Sequence, residues 1–384
     1  MAADRKYKEY EEKLYFIPDN ELMTVDKLNE LFSELLTVLP NDGKLYKYRA
    51  LDTFHIDELE DGYVWFSSAK KLNDNKDCAF NANYLQQIDN LVKFFLTDGN
   101  YRKMLAKGLY MNLVTHNNYI TLPLVEDCLL CLSKMDFPTR YYKVDKICKD
   151  YKLLEPQKQQ LIITAELYSD ARQNEESIRE SISNLCEQME KIRNGNQICS
   201  LTSSFAKDSM WAYYCNNRGI CIEYDFTKID TSELKTVFIN TYKVRYGRKK
   251  KFSYVDIIKA HLRNTPQATL EADKMIIQQL LTKDQSWSTE DEWRTVLHVK
   301  GNEIGVRIPA KIVSAIYLDY SVLREDKAKR IIDLAKLNGW KLFVRYFSNL
   351  EVEYRYDSID VINTYNEKIM QSQRGQHGHF GKAV

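Results

Sequence analysis

Glu290 and Glu292 stand one residue apart in Glu290-Asp291-Glu292-Trp293-Arg294. In an extended segment alternate residues share a face, so both carboxylates would project together. Such a pair suits two chemistries. It can stabilise positive charge developing at the anomeric carbon of a sugar. With Asp74 and Asp77 it could instead hold a divalent ion for nuclease chemistry. Two cations sit at the same spacing in Leu45-Tyr46-Lys47-Tyr48-Arg49. Hydroxyls close the block Val64-Trp65-Phe66-Ser67-Ser68, and Leu72-Asn73-Asp74 follows. A third block runs Ser203-Ser204-Phe205-Ala206 into Met210-Trp211-Ala212-Tyr213-Tyr214. Each residue also has a plain structural use. Arg49 can pair with a surface acid, Ser67 and Ser68 can cap a turn, and Asn73-Asp74 is a natural turn or cap pair. Trp211, Tyr213 and Tyr214 suit a core.

Other candidates for chemistry are weaker. Tyr242-Lys243-Val244-Arg245-Tyr246-Gly247-Arg248-Lys249-Lys250-Lys251-Phe252 interleaves basic and aromatic residues, a pattern that can follow a phosphate backbone or form a solvated loop. Cys128 and Cys131 form one Cys-x-x-Cys without a second pair or nearby His, so they read as small apolar residues in a buried segment rather than a zinc site. His377 and His379 in the tail are too few for a metal site. No glycine-rich nucleotide loop, His-Glu-x-x-His or Gly-x-Ser-x-Gly occurs.

The elements that must position these residues form an α+β pattern. Residues 24–39 carry apolar groups at helical spacing between Thr24 and Pro40, within an N-terminal helical segment 1–43. Residues 44–83 read as the first part of a core, with strands at 45–49 and 63–67 around a helix at 51–60. Residues 84–195 read as a helical insertion that packs against the core. Its apolar positions from 161 to 192 recur at steps of three and four, and it is a candidate surface for a partner protein. Residues 196–370 return to the core. Strands are expected at 197–205, 219–224, 234–246, 292–299, 305–308, 314–319, 341–346 and 352–356, with helices at 253–263, 266–282 and 325–337. The tail 371–384 reads as disordered. Gly and Pro are few, at 13 and 7, which favours helix over a turn-rich all-β chain. The 26 Tyr suit clefts, interfaces or half-buried strand positions.

A net charge of +1 provides no global field for nucleic acid or acidic membranes. The absence of a long apolar run and of a signal-like start predicts no membrane association, a cytoplasmic location and free thiols for the 8 Cys.

Taken in order, the four blocks resemble the bacterial domain-of-unknown-function 2971 family over about residues 44–300. That family's pattern is a Leu-Tyr-Lys/His-Tyr strand, Phe-Ser-Ser-x-x-x-Leu-Asn-Asp-Pro, Ser-Phe-Ser, Met-Trp-x-x-Tyr and Glu-x-Glu-Trp-Arg. Asn75 stands here in place of the usual Pro, and Ala206 in place of the second Ser of Ser-Phe-Ser. The order of basic strand, serine-bearing strand end and Glu-x-Glu is also similar to the Arg, Ser-x-Ser and Glu-x-Glu order of ADP-ribosyltransferases. That resemblance implies a split mixed or antiparallel sheet with a large helical insertion, and NAD as substrate. It implies Glu292 at the ribose and Glu290 at the nucleophile as catalytic residues. Lys47, Tyr48, Arg49, Ser67, Ser68, Asn73 and Asp74 would contact the cofactor, with Arg49 and the serines on the pyrophosphate and Tyr48, Trp65 or Tyr213 stacking on nicotinamide. The acceptor would be a protein or nucleic acid, and the role by analogy that of a toxin or phage-defence effector. A non-catalytic binding module and the metal-dependent nuclease remain the other two readings.

Overall fold

A computed structural model describes residues 2–15, 24–72, 77–78, 84–97, 99–114, 119–170, 176, 178–180, 182–184, 186–187, 195–247, 253–263, 266–299, 304–348 and 353–363. The chain parts into two compact units. The first comprises residues 1–78, 194–249 and 280–384, and the second comprises 79–193 and 250–279.

The first unit is mixed α+β. Ten of its described strands form one sheet. Eight of them lie in the order β12 (Glu353–Ser358), β11 (Lys341–Ser348), β10 (Val313–Asp319), β4 (Gly219–Asp225), β1 (Lys44–Ala50), β3 (Asn196–Thr202), β2 (Tyr63–Ser68) and β9 (Gly305–Pro309). The other two are β8 (Glu292–His298), which pairs with β3, and β5 (Thr241–Lys243), which pairs with β8, while β6 (Arg245–Tyr246) and β7 (Thr282–Lys283) form a separate pair. All pairs in this sheet are antiparallel except β10 with β11, which the helix Asp326–Asn338 connects as a crossover. Gly339 ends that helix in the left-handed region at φ 69.

β3 is where the sheet divides. One edge pairs with β8 along its whole length, from Asn196 opposite His298 to Thr202 opposite Glu292. The other edge meets β2 at Gln197 and Ile198, and β1 at Thr202 alone. Among the described residues Cys199, Ser200 and Leu201 have no strand partner on that edge. β1 and β2 therefore diverge from a common strand and leave a cleft between them.

The main core lies on one face of the sheet. There Leu45, Phe66, Ile220, Ile222 and Leu318 pack with Phe32 and Leu35 of the helix Val25–Val38 and with Ile331 of Asp326–Asn338. Thr24 caps the first of these helices by accepting the Lys27 N–H at 3.2 Å. A second cluster joins Tyr46, Tyr48 and Tyr317 to Trp211 of the helix Asp208–Cys215. Gly219 permits that closeness, because a Cβ there would lie 2.3 Å from the Arg49 carbonyl and 2.7 Å from Cys215 Cβ.

Three expectations are corrected. Residues 234–238 are not strand but part of the helix Ser232–Phe238, which Thr231 caps through the Leu234 N–H. The helical block is not one contiguous insertion of 84–195. It takes in 250–279, because the helix Tyr254–Leu262 packs on Tyr84–Leu96, with Tyr254 N–H on Gln87 and Lys259 over Phe94. Cys131 is exposed on the helix Leu122–Leu132 rather than buried, although both it and Cys128 are free thiols. The second unit is otherwise built from the helices expected there, with a core around Leu109, Leu129, Val144 and Leu161. The stripe from 171 onward lies partly outside the described residues, as does the tail 371–384.

Candidate functional site

The cleft at β3 holds a cavity of about 180 Å³. Lys47, Tyr48 and Arg49 from β1, Ser67 from β2, and Glu290 and Glu292 all line it, together with Asp77, Ser200, Tyr214, Lys283 and Trp287. Six of the nine expected site residues thus share one cavity. Ser68 does not line it; its hydroxyl accepts the Lys70 N–H and caps a short 3-10 turn, the structural use open to it from sequence. Asn73 and Asp74 lie outside the described residues.

Glu290 and Glu292 do not sit on one extended strand. Glu290 ends the 3-10 turn Gln285–Glu290, and Asp291 follows in the left-handed region at φ 43. The carboxylates meet all the same, because Lys283 lies between them. Its Nζ is 2.5 Å from Glu290 Oε2 and 3.1 Å from Glu292 Oε2. Lys283 also lies over the Trp287 ring, 4.9 Å from its centroid. The Asp291 turn is fastened by the Ser203 hydroxyl, which donates to the Asp291 carboxylate.

Behind this pair, Arg294 is wholly buried. It donates through Nε to Glu292 Oε1 at 2.8 Å and through Nη1 to the Leu280 carbonyl at 2.6 Å. Asp77 takes both its terminal nitrogens, at 3.0 and 2.5 Å. On the other flank the Tyr214 hydroxyl donates to Glu290 Oε1 at 2.7 Å. Every oxygen of Glu290 and Glu292 therefore has a donor.

The two carboxyls are driven apart electrically. Burial pushes Glu292 up, but Arg294 and then Lys283 outweigh it and hold the group below the usual carboxylate range, with the Ser200 hydroxyl assisting. Glu290 is raised, first by burial and then by the Glu292 charge, with Lys283 and Tyr214 opposing. At neutral pH Glu292 is a fixed anion and Glu290 is the better proton acceptor.

The opposite wall carries the β1 cations. Arg49 pairs not with a surface acid but with wholly buried Glu58, Nη2 to Oε2 at 3.1 Å. Glu58 Oε1 takes the Trp65 N–H as well, which locks β1 to β2 near the cleft. Arg49 Nε is buried without a hydrogen-bond partner among the described residues. Lys47 Nζ contacts Cys199 Sγ at 3.2 Å. Ser67 accepts from Trp65 Nε1 at 3.3 Å, which leaves its own proton to donate. Tyr48 is turned to the second cluster, where its hydroxyl donates to the Ser204 carbonyl and its ring meets Trp211 edge-on.

The nuclease constellation converges differently from expectation. Asp77, Glu290 and Glu292 gather on Lys283 and Arg294, and among the described residues no three metal-ligating side chains are placed to hold an ion. In the basic–aromatic stretch, Tyr242 and Val244 are buried, Arg245 pairs with Glu11, and the Tyr246 hydroxyl accepts the Glu292 N–H. Of the aromatic side chains in its described part, Tyr246 thus braces the site and Tyr242 is buried, so Tyr242 offers no face for a base. Arg248 to Phe252 lie outside the described residues. Sequence reading missed Lys283, Arg294 and the role of Tyr214. The one available signal was Arg294 at i+2 from Glu292, on the same face of β8.

The fold and site define a mixed α+β protein with a buried acid–base cluster in a divided sheet. The family model for the protein of unknown function DUF2971 matches residues 210–295, which supports the relationship to that family. This stretch contains Tyr214, Lys283, Glu290, Glu292 and Arg294, but not the β1 and β2 wall. No curated protein and no solved structure matches the chain. Among the described residues no helix is long and apolar enough to cross a membrane.

Proposed function

We propose that the first unit cleaves the nicotinamide–ribose bond of NAD and passes ADP-ribose to a macromolecular acceptor. The carrying observation is that Lys47, Arg49, Ser67, Glu290 and Glu292 line one cavity where β1 and β2 leave β3. Arg49 Nε–H and the Ser67 hydroxyl are donors suited to the pyrophosphate. Glu292, anionic and rigidly held, opposes the positive charge that develops on the ribose as nicotinamide leaves. Glu290 takes the acceptor's proton. The cavity is below the roughly 300–1,000 Å³ of a site that encloses a drug-sized ligand. It suits the nicotinamide–ribose end, with the remainder of the dinucleotide over its mouth. A toxin or defence role for such a transferase follows by analogy of chemistry only.

One observation favours a second reading, a non-catalytic binding module. All four oxygens of Glu290 and Glu292 are already engaged. The experiment that separates the two is NAD binding by calorimetry together with nicotinamide release, with and without cell extract as a source of acceptor. Turnover supports the transferase. Binding without release supports the module.

A further inference from the structure

The charged groups of the cleft are not balanced alike. Asp77, Glu290 and Glu292 each face Lys283 or Arg294 within 4 Å. Among the described residues Lys47 has no such carboxylate. Its side chain is buried, with the residue 8 % exposed, and its amine meets a thiol, Cys199 Sγ at 3.2 Å. Arg49 stands two residues along the same strand, so a second cation shares its face. Burial first, and Arg49 after it, hold the Lys47 amine below the ordinary lysine range, although Cys199 and the Glu58 carboxylate paired with Arg49 oppose them. A desolvated lysine beside another cation, at the wall of a cavity, is the arrangement that makes an amine nucleophilic.

We infer that Lys47 is a covalent site for a carbonyl compound, specifically a short aldehyde that carries a phosphate. The Nζ lone pair attacks the carbonyl carbon, a proton moves from nitrogen to oxygen, and the carbinolamine loses one water to leave an imine. No oxidant or reductant is needed. The phosphate has donors on the same wall, the Arg49 Nε–H, which has no partner among the described residues, and the Ser67 hydroxyl, whose oxygen already accepts from Trp65. The imine needs no NAD turnover, so this inference and the transferase reading fail separately.

The test incubates the full chain with glyceraldehyde 3-phosphate and cyanoborohydride at pH 8, then maps modified lysines by peptide mass spectrometry. Lys47 should be modified saturably, and at least about tenfold faster than the exposed Lys329. Unphosphorylated glyceraldehyde should label it about tenfold more slowly than the phosphorylated form, the loss expected when a charge-assisted contact is removed. Lys47→Arg keeps a cation, should melt close to the parent, and should lose the saturable phase. Labelling of Lys47 no faster than Lys329, or a saturable phase that survives in Lys47→Arg, would overturn the inference. Equal rates with the two aldehydes would overturn its phosphate part.

Discussion

Arg294 and Asp77, 217 residues apart in sequence, form a two-pronged ion pair inside the protein, with Nη1 to Oδ1 at 3.0 Å and Nη2 to Oδ2 at 2.5 Å. Neither side chain has appreciable contact with solvent. The pair ties the segment after β2 to β8 and fixes the guanidinium that holds Glu292. Asp77→Ala would leave a buried cation with one carboxylate fewer. Removing one partner of such a pair costs about 3–5 kcal/mol. Chemical denaturation should show a loss of that order, and Asp77→Asn a smaller one, because it still accepts one hydrogen bond. A loss below about 0.5 kcal/mol, the size of an ordinary surface change, would mean that the pair does not organise the site.

The depressed Glu292 carboxyl makes stability depend on acid in a defined direction. Its folded pKa lies below the unfolded one, so its contribution is complete above the ordinary glutamate range and is lost as pH falls through the folded value. Glu290 is raised and acts with the opposite sign. The parent should therefore lose melting temperature steadily below about pH 4.5, and Glu292→Gln should lose less over the same interval. Parallel curves for the two proteins would show that Glu292 is not depressed.

Tyr214 donates to Glu290 and so favours its ionised form. Tyr214→Phe removes that hydrogen bond and should raise the Glu290 carboxyl further. If Glu290 is the base, the acid limb of the pH–rate profile for transfer moves to higher pH. An unmoved limb would separate Glu290 from proton transfer.

Arg49 holds Glu58 through Nη2 while Nε has no hydrogen-bond partner among the described residues. Arg49→Lys keeps a cation opposite the buried Glu58 but loses the forked donor set. NAD affinity should fall about tenfold with a smaller effect on turnover, because the proposed contact is made to the ground-state pyrophosphate. Calorimetry reads the first quantity and nicotinamide release the second.

Local patterns were legible in the chain and long-range ones were not. Alternation at 45–49 and the strand pattern at 219–224 marked β1 and β4, and Thr24 with the spacing of Leu28, Leu31, Phe32 and Leu35 marked the helix between them and the N-terminus. Ser232–Phe238 was misread because a seven-residue helix spans too few turns to show a period. Arg49, Ser67, Glu290 and Glu292 stood out by residue type. Their partners Glu58 and Lys283 did not, because an ion pair made across the fold leaves no spacing signal, and Asp77 stood out only as a candidate metal ligand, not as the partner of Arg294. The left-handed Asp291 was equally hidden; Asp tolerates that region, but nothing in its neighbours demands it.

The transferase reading rests most heavily on the charge of Glu292, so the decisive measurement is nicotinamide release by the parent and by Glu292→Gln, each first checked for a cooperative melt. Substitution should lower turnover by at least about 100-fold, the scale for loss of a group aimed at transition-state charge. The dissociation constant for NAD should change far less, since that charge is absent from the ground state. A folded Glu292→Gln that releases nicotinamide at the parental rate, or a folded parent that neither binds NAD at millimolar concentration nor releases nicotinamide with extract present, would contradict it.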